Sequence, residues 1–137
     1  MRFVFADTSY WIALTSTFDR LHSQAVEMSK IVSESVLYTS EAVLLELLDG
    51  ASARGLFERA KMSEFVEGLT YDSNIHIISV SAELFGRGLQ LFKGRLDKSW
   101  SMTDCISTAL CEELNITEVL THDHHFVQAG FVALLRH

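Results

Sequence analysis

Short apolar runs alternate along this chain with longer stretches of helical period, and that alternation restricts the fold more than any other feature. The first run, residues 3–6, reads as a strand that stops at Asp7. Helices are predicted over residues 10–16 and 22–32, then a strand over 36–38. Thr39 or Ser40 can cap a helix running to about Leu48, ahead of Asp49-Gly50. Residues 57–69 follow as an amphipathic helix, with Phe57, Phe65 and Leu69 expected on its buried side. The β-branched run 75–80 is predicted as a strand, and 82–96 and 101–114 as helices. A strand over 119–121, a short helix over 124–129 and a last strand over 131–135 complete the pattern. Strands separated by one or two helices form parallel crossover units, with helices on both faces of the sheet. The expected fold is therefore α/β, a three-layer α/β/α sandwich around a mostly parallel sheet of about five strands.

The chain has 137 residues, enough for one domain and too few for two, so the domain is expected to span residues 1–137. It has no proline, and its 7 glycines are scattered rather than gathered into a linker. The formal charge of −7 excludes a protein that holds nucleic acid by bulk positive charge and leaves only local basic patches for that purpose. Cys105 and Cys111 stand six residues apart in one predicted helix, about 600° of rotation, so they point different ways and do not bridge. The first apolar run meets Asp7 too soon for a signal peptide, which needs roughly 7–15 apolar residues, or for a membrane span of about 20. A soluble, cytoplasmic protein without membrane contact is expected.

In parallel sheets ligands collect beyond the carboxyl ends of the strands, so the polar residues standing there come first. Asp7 follows the first strand directly, and Asp123 stands two residues after the strand ending at Thr121. Each also suits a helix N-cap or a turn. Asp104 fits a capping box begun by Ser101, a common motif with no chemistry of its own. Glu46 lies among Val43, Leu44, Leu45, Leu47 and Leu48, about 60° from the edge of their apolar arc. It either reaches solvent or aims at a polar centre. Considered together, the four acids can meet at one end of a parallel sheet. Carboxylates so close cannot all stay ionised without compensation. Divalent cations supply it, and all-oxygen ligation favours Mg²⁺ or Mn²⁺ over zinc. Such a centre can carry two-metal phosphodiester hydrolysis.

The segments Phe3-Val4-Phe5-Ala6-Asp7-Thr8-Ser9-Tyr10-Trp11, Thr39-Ser40 to Glu46, Ser101-Met102-Thr103-Asp104-Cys105-Ile106-Ser107 and Leu120-Thr121-His122-Asp123-His124-His125-Phe126 together resemble PIN domains, especially the VapC-type ribonuclease toxins. The order and spacing of all four acids match, over essentially the whole chain. The resemblance implies a metal-dependent endoribonuclease whose catalytic and metal-binding acids are Asp7, Glu46, Asp104 and Asp123. Thr8 and Thr103 would be the accompanying hydroxyls, and Mg²⁺ or Mn²⁺ the cofactor. It further implies an RNA substrate, a cognate antitoxin lying over the acidic cleft, and a homodimer. An RNA-processing nuclease that is not a toxin, and a non-catalytic module binding protein or RNA, are the alternatives. Trp11, Phe18 and Trp100, in or beside predicted loops and helix ends, are expected to contribute exposed aromatics to an interface.

Other chemistries fit less well. A His-Asp phosphohydrolase needs histidines converging from several helices, whereas His22, His76 and His137 lack acidic company and His124 and His125 diverge on a helix. A zinc site from His122, His124 and His125 finds no suitably spaced cysteine. Gly86-Arg87-Gly88 lacks the third glycine of a dinucleotide fingerprint and lies inside a predicted helix. Arg87, Lys93, Arg95 and Lys98 share one stretch with a single acid, Asp97, and are candidate phosphate anchors; equally, they form a solvated helix face. Arg54, Arg59 and Lys61 form a second small basic group.

Overall fold

The computed structural model describes residues 1–136; His137, the last residue of the expected domain, lies outside them. The elements run β1 (Phe3–Ala6), α1 (Thr8–Thr15), α2 (His22–Ile31), β2 (Val36–Ser40), α3 (Glu41–Ser52), α4 (Leu56–Tyr71), β3 (Ile75–Ile78), α5 (Ala82–Gly94), α6 (Met102–Leu114), β4 (Glu118–Leu120), α7 (His124–Gln128) and β5 (Val132–Ala133). All strand pairs are parallel, in the order β3-β2-β1-β4-β5. The chain moves outward from β1 to β3, crosses back, and continues outward on the other side through β4 and β5. Right-handed connections then assign α1 to α4 to one face and α5 to α7 to the other, the expected three layers. The direction of winding reverses between β1 and β4, and a crevice opens at such a point beyond the strand ends.

The centre of the sheet is wholly apolar: Val4, Phe5, Ala6, Val119 and Leu120 are all fully buried. Helix α6 is the most enclosed helix, with every residue from 104 to 111 buried, including Asp104. It lies so close to α5 that a Cβ on Gly88 would come within 2.8 Å of Ile106 Cγ1 and 3.2 Å of its Cα. The Gly86-Arg87-Gly88 stretch thus serves helix packing.

Element boundaries depart from the sequence reading where hydrogen bonds decide. The third strand ends at Ile78 because the Val80 amide donates to Glu41 Oε1 at 2.8 Å instead of continuing the ladder. Pairing of Thr39 with Ile77 and Ser40 with Ile78 lengthens β2. Helix α3 continues through Asp49-Gly50 to Ser52, since Leu47 and Ala51 are buried on one face and offset the cost of a helical glycine.

The aromatic expectations need correction. Trp11 and Trp100 are buried, and of the three proposed interface aromatics only Phe18 is exposed. Phe57, expected on the buried side of its helix, is exposed. Met62 and Leu69 define the buried side of α4, and Phe57 sits about 140° round the helix from Met62. Cys105 and Cys111 are free and buried, as their spacing requires. No helix among the described residues is long and apolar enough to cross a membrane.

Candidate active site

Asp7 leaves the end of β1 with extended backbone geometry and stands at the N-cap of α1, yet its side chain makes no capping bond. Its Oδ2 instead accepts from the Thr121 hydroxyl at 2.9 Å and from the Ser9 hydroxyl at 3.3 Å. Thr121 follows β4, the strand paired to β1, so the winding reversal itself brings the two together. The carboxylate is 4% exposed. Burial pushes its pKa up to about 7, and the nearby charges of Asp104 and Glu46 push the same way. The bonds from Thr121 and the Thr8 amide oppose that rise without cancelling it.

Asp104 and Asp123 arrive from two helix N-termini and do cap them. Asp104 Oδ2 accepts from the Ser101 amide at 3.0 Å while Ser101 Oγ accepts from the Asp104 amide, a complete capping box. Asp123 Oδ1 accepts from the His125 amide at 3.0 Å. The Thr121 hydroxyl that holds Asp7 also accepts from the Asp123 amide at 3.0 Å. His125 closes the group, its Nδ1 lying 3.0 Å from both Asp104 Oδ2 and Asp123 Oδ1. Donor atoms of Asp104, Asp123 and His125 thus fall within 4.8 Å of one another.

Glu46 is exposed on α3 and lines an open groove of about 670 Å³. Thr103, half-buried at the start of α6, lines the same groove, whose walls include Leu45, Phe85, Met102 and Ile106. Thr8 is buried, and its Oγ1 has no partner among the described residues. A buried hydroxyl left without a partner costs about 1–3 kcal/mol, and a neighbouring carboxylate held near pKa 7 adds to that cost. A divalent cation beside Asp7 would offset the cost of its charge. The carboxylate oxygens of Asp104 and Asp123 suit Mg²⁺ or Mn²⁺, so the residues present fit such an ion, while Asp7 and Glu46 lie outside the group gathered within 4.8 Å.

The basic stretch is divided by the fold. Arg87 is turned along α6, donating to the Ala109 carbonyl at 3.4 Å and pairing with Glu113 at 3.2 Å. Glu113 lies roughly 13 Å further along α6 than Asp104. Arg95 and Lys98 share Asp97, and Arg95 lies over the Trp100 ring at 4.9 Å. Their loop reaches the acidic group through Ser99, whose Oγ is 3.3 Å from His125 Nε2. Lys93 is exposed in the last turn of α5.

Sequence reasoning passed over Thr121, Ser9 and His125. Thr121 read as the end of a strand, and His125 as half of a diverging pair with His124. His124 is indeed exposed while His125 turns inward, so the divergence is real but leaves one imidazole on the acids.

Residues 4–132 match the PIN domain family. The Mycobacterium tuberculosis toxin VapC20, described as cleaving the sarcin-ricin loop, superposes with a TM-score of 0.84 at 23% identity, covering 94% of this chain and 96% of its own. VapBC2 from Rickettsia felis, bound to a promoter DNA fragment, gives 0.71 at 15% identity, covering 96% of each chain. DNA-bound VapBC from Salmonella typhimurium gives 0.68 at 15% identity, covering 97% of each. No curated protein sequence matches the chain significantly. With the family match spanning nearly its full length, and the fold carried by these structures, the chain belongs to the PIN domain family.

Proposed function

We propose that this protein is a Mg²⁺- or Mn²⁺-dependent endoribonuclease, the toxin of a toxin–antitoxin pair. The observation that carries the reading is Asp7: a buried carboxylate at the winding reversal, with its pKa raised to about 7 and Asp104 and Glu46 as charged neighbours. A protein that only needed to fold would gain by replacing it, because burying a charge without a partner is costly. A metal site explains why it stays.

In this reading Asp7, Glu46, Asp104 and Asp123 hold the cation, which would activate water and stabilise the leaving oxygen of a phosphodiester. Thr121 and Ser9 orient Asp7 through Oδ2. Ser101 and His125 hold Asp104 in the same way through its Oδ2. Thr103 brings a hydroxyl to the groove beside the acids, and Thr8, next to Asp7 in sequence, is the other candidate hydroxyl. Arg95 and Lys98, on the loop next to His125, are the stronger candidates to grip phosphates, with Lys93 one step further along; Arg87, engaged by Glu113, is the weakest of the four.

The antitoxin reading has support in the groove beside Glu46. Its walls are largely apolar, with Leu45 and Phe85 exposed, and a partner segment laid there would cover both those residues and Glu46. The VapBC relatives are toxin–antitoxin complexes by their descriptions. A homodimer fits the exposed Leu56 and Phe57 at the start of α4 better than the aromatics first expected there.

The test is RNA cleavage by the purified chain with Mg²⁺ or Mn²⁺, with EDTA, and in the Asp7→Asn and Asp104→Asn variants. Cleavage should need metal and vanish in both variants while their folds persist. Undiminished cleavage with all metal chelated would end this reading.

A further inference from the structure

His125 touches both acids at once. Its Nδ1 is 3.0 Å from Asp104 Oδ2 and 3.0 Å from Asp123 Oδ1. Those two oxygens are also the ones used by the helix caps, accepting from the Ser101 and His125 amides. Each carboxylate therefore has one oxygen fixed by the protein. Asp104 Oδ1 and Asp123 Oδ2 make no protein hydrogen bond among the described residues, and they remain available to an outside ligand. An imidazole with its proton on Nδ1 satisfies this arrangement, donating to Asp104 with the Asp123 oxygen at the same distance. The Ser99 hydroxyl, 3.3 Å from Nε2, then donates to the other nitrogen and selects that tautomer.

We infer that His125 is a positioning residue that sets the separation and orientation of Asp104 and Asp123 for a divalent cation, with Ser99 holding the imidazole in the required tautomer. The inference rests on the reading of those two acids as metal ligands and adds a determinant that none of the four acids supplies. His125 is not itself a ligand in this account: its Nδ1 is occupied by the hydrogen bond to Asp104 with Asp123 3.0 Å away, and its Nε2 is turned to Ser99. Partners that orient metal ligands in this manner are worth roughly 10–100-fold in metal affinity.

The experiment uses the full chain and Mn²⁺ as the probe, with binding read from the electron paramagnetic resonance of free Mn²⁺. His125→Phe keeps a ring but removes the donor, and should weaken Mn²⁺ binding about 10–100-fold. His125→Asn places an amide N–H near the position of Nδ1 and should recover most of that loss. Ser99→Ala, an exposed change, should weaken binding by a smaller factor and serves if His125→Phe does not fold. Steady-state cleavage by His125→Phe should rise towards wild type as Mn²⁺ is raised to saturation, so its defect is one of metal occupancy. Co²⁺ bound in place of Mn²⁺ should give the same visible spectrum in wild type and His125→Asn. His125→Phe binding Mn²⁺ like wild type would overturn the inference. So would a cobalt spectrum that changes with loss of the imidazole, which would make His125 a ligand. Wild-type protein that binds no Mn²⁺ would instead overturn the ligand reading of Asp104 and Asp123 before any variant is compared.

Discussion

The Thr121 hydroxyl donates to Asp7 Oδ2 at 2.9 Å, so the strand beside β1 holds the carboxylate that β1 delivers. The Thr121 hydroxyl oxygen in turn accepts from the Asp123 amide, which ties the fourth acid to the first through one side chain. Thr121→Val removes the donor that favours ionised Asp7 and leaves the half-buried Asp123 amide without its acceptor. The variant should lose about 1–3 kcal/mol of stability. Its Mn²⁺ binding should also need a higher pH than wild type, because the Asp7 pKa rises further. Thr121→Ser should restore both. Mn²⁺ affinity measured from pH 6 to 9 checks this, and identical profiles for Val and wild type would contradict it.

Asp7 also makes the metal-free protein pH-sensitive. Its pKa rises from 3.8 to about 7 on folding, so between those values the folded state keeps a proton that the unfolded chain releases. Stability with EDTA should therefore fall as pH climbs through that window and level off above it. The full contribution is on the order of 4 kcal/mol. Asp7→Asn should flatten the profile and be the more stable protein at pH 8, while excess Mg²⁺ should restore wild type there. Thermal melts across pH, with and without metal, decide the matter. A wild-type profile that rises between pH 4 and 7 would contradict the assignment.

Two glycines on α5 should behave oppositely. Alanine at Gly88 meets Ile106 backbone atoms at 3.2 and 3.3 Å, and α6 cannot yield without moving Asp104, two residues before Ile106. Overpacking of this kind costs about 1–3 kcal/mol, partly offset by better helix propensity. Gly88→Ala should therefore melt several degrees lower and cleave RNA less well. Gly86 has open space around its Cβ position, and Gly86→Ala should gain up to about 1 kcal/mol with activity kept. Equal melting temperatures for the two variants would refute the packing account.

The strand and helix order was legible because each apolar run ended at a polar residue that the fold uses, as at Asp7 and Asp123. Periodicity placed the five strands and seven helices found among the described residues. It could not place side chains around a helix from spacing alone: Phe57 is separated from Phe65 by a helical interval, yet Met62 and Leu69 decide which side of α4 faces inward. The four acids stood out by position, but not the groups that orient them. Thr121 and Ser99 act through hydrogen bonds between segments far apart in sequence, and no local pattern encodes such bonds, whereas the Ser101 cap on Asp104 is local and was legible. For Asp104 and Asp123, capping and a role in the acidic cluster are not rivals, since one oxygen of each serves the helix and the other stays free.

The divided basic stretch yields the final prediction. If Arg95 and Lys98 grip phosphates, reversing both should weaken RNA binding and lower its log–log salt slope by about 0.7 per lost contact. Arg87→Glu should leave the slope alone, because Arg87 is paired with Glu113 and directed along α6 away from Asp104. Reversal at position 95 also removes the cation over Trp100, so Arg95→Gln, which loses charge but keeps some of the stem packing, separates electrostatics from loop structure. Mn²⁺ affinity should hold in all of these variants, since none is a ligand. At saturating RNA the turnover should change little, as the lost contacts bind ground state and transition state alike. Binding measured from 50 to 300 mM salt reads the slopes directly. A wild-type slope in the double reversal, or a reduced slope in Arg87→Glu, would move the phosphate track off this loop. Arg59, which lines a small surface pocket with Asp49 at the far end of α3, would then be the next residue to reverse.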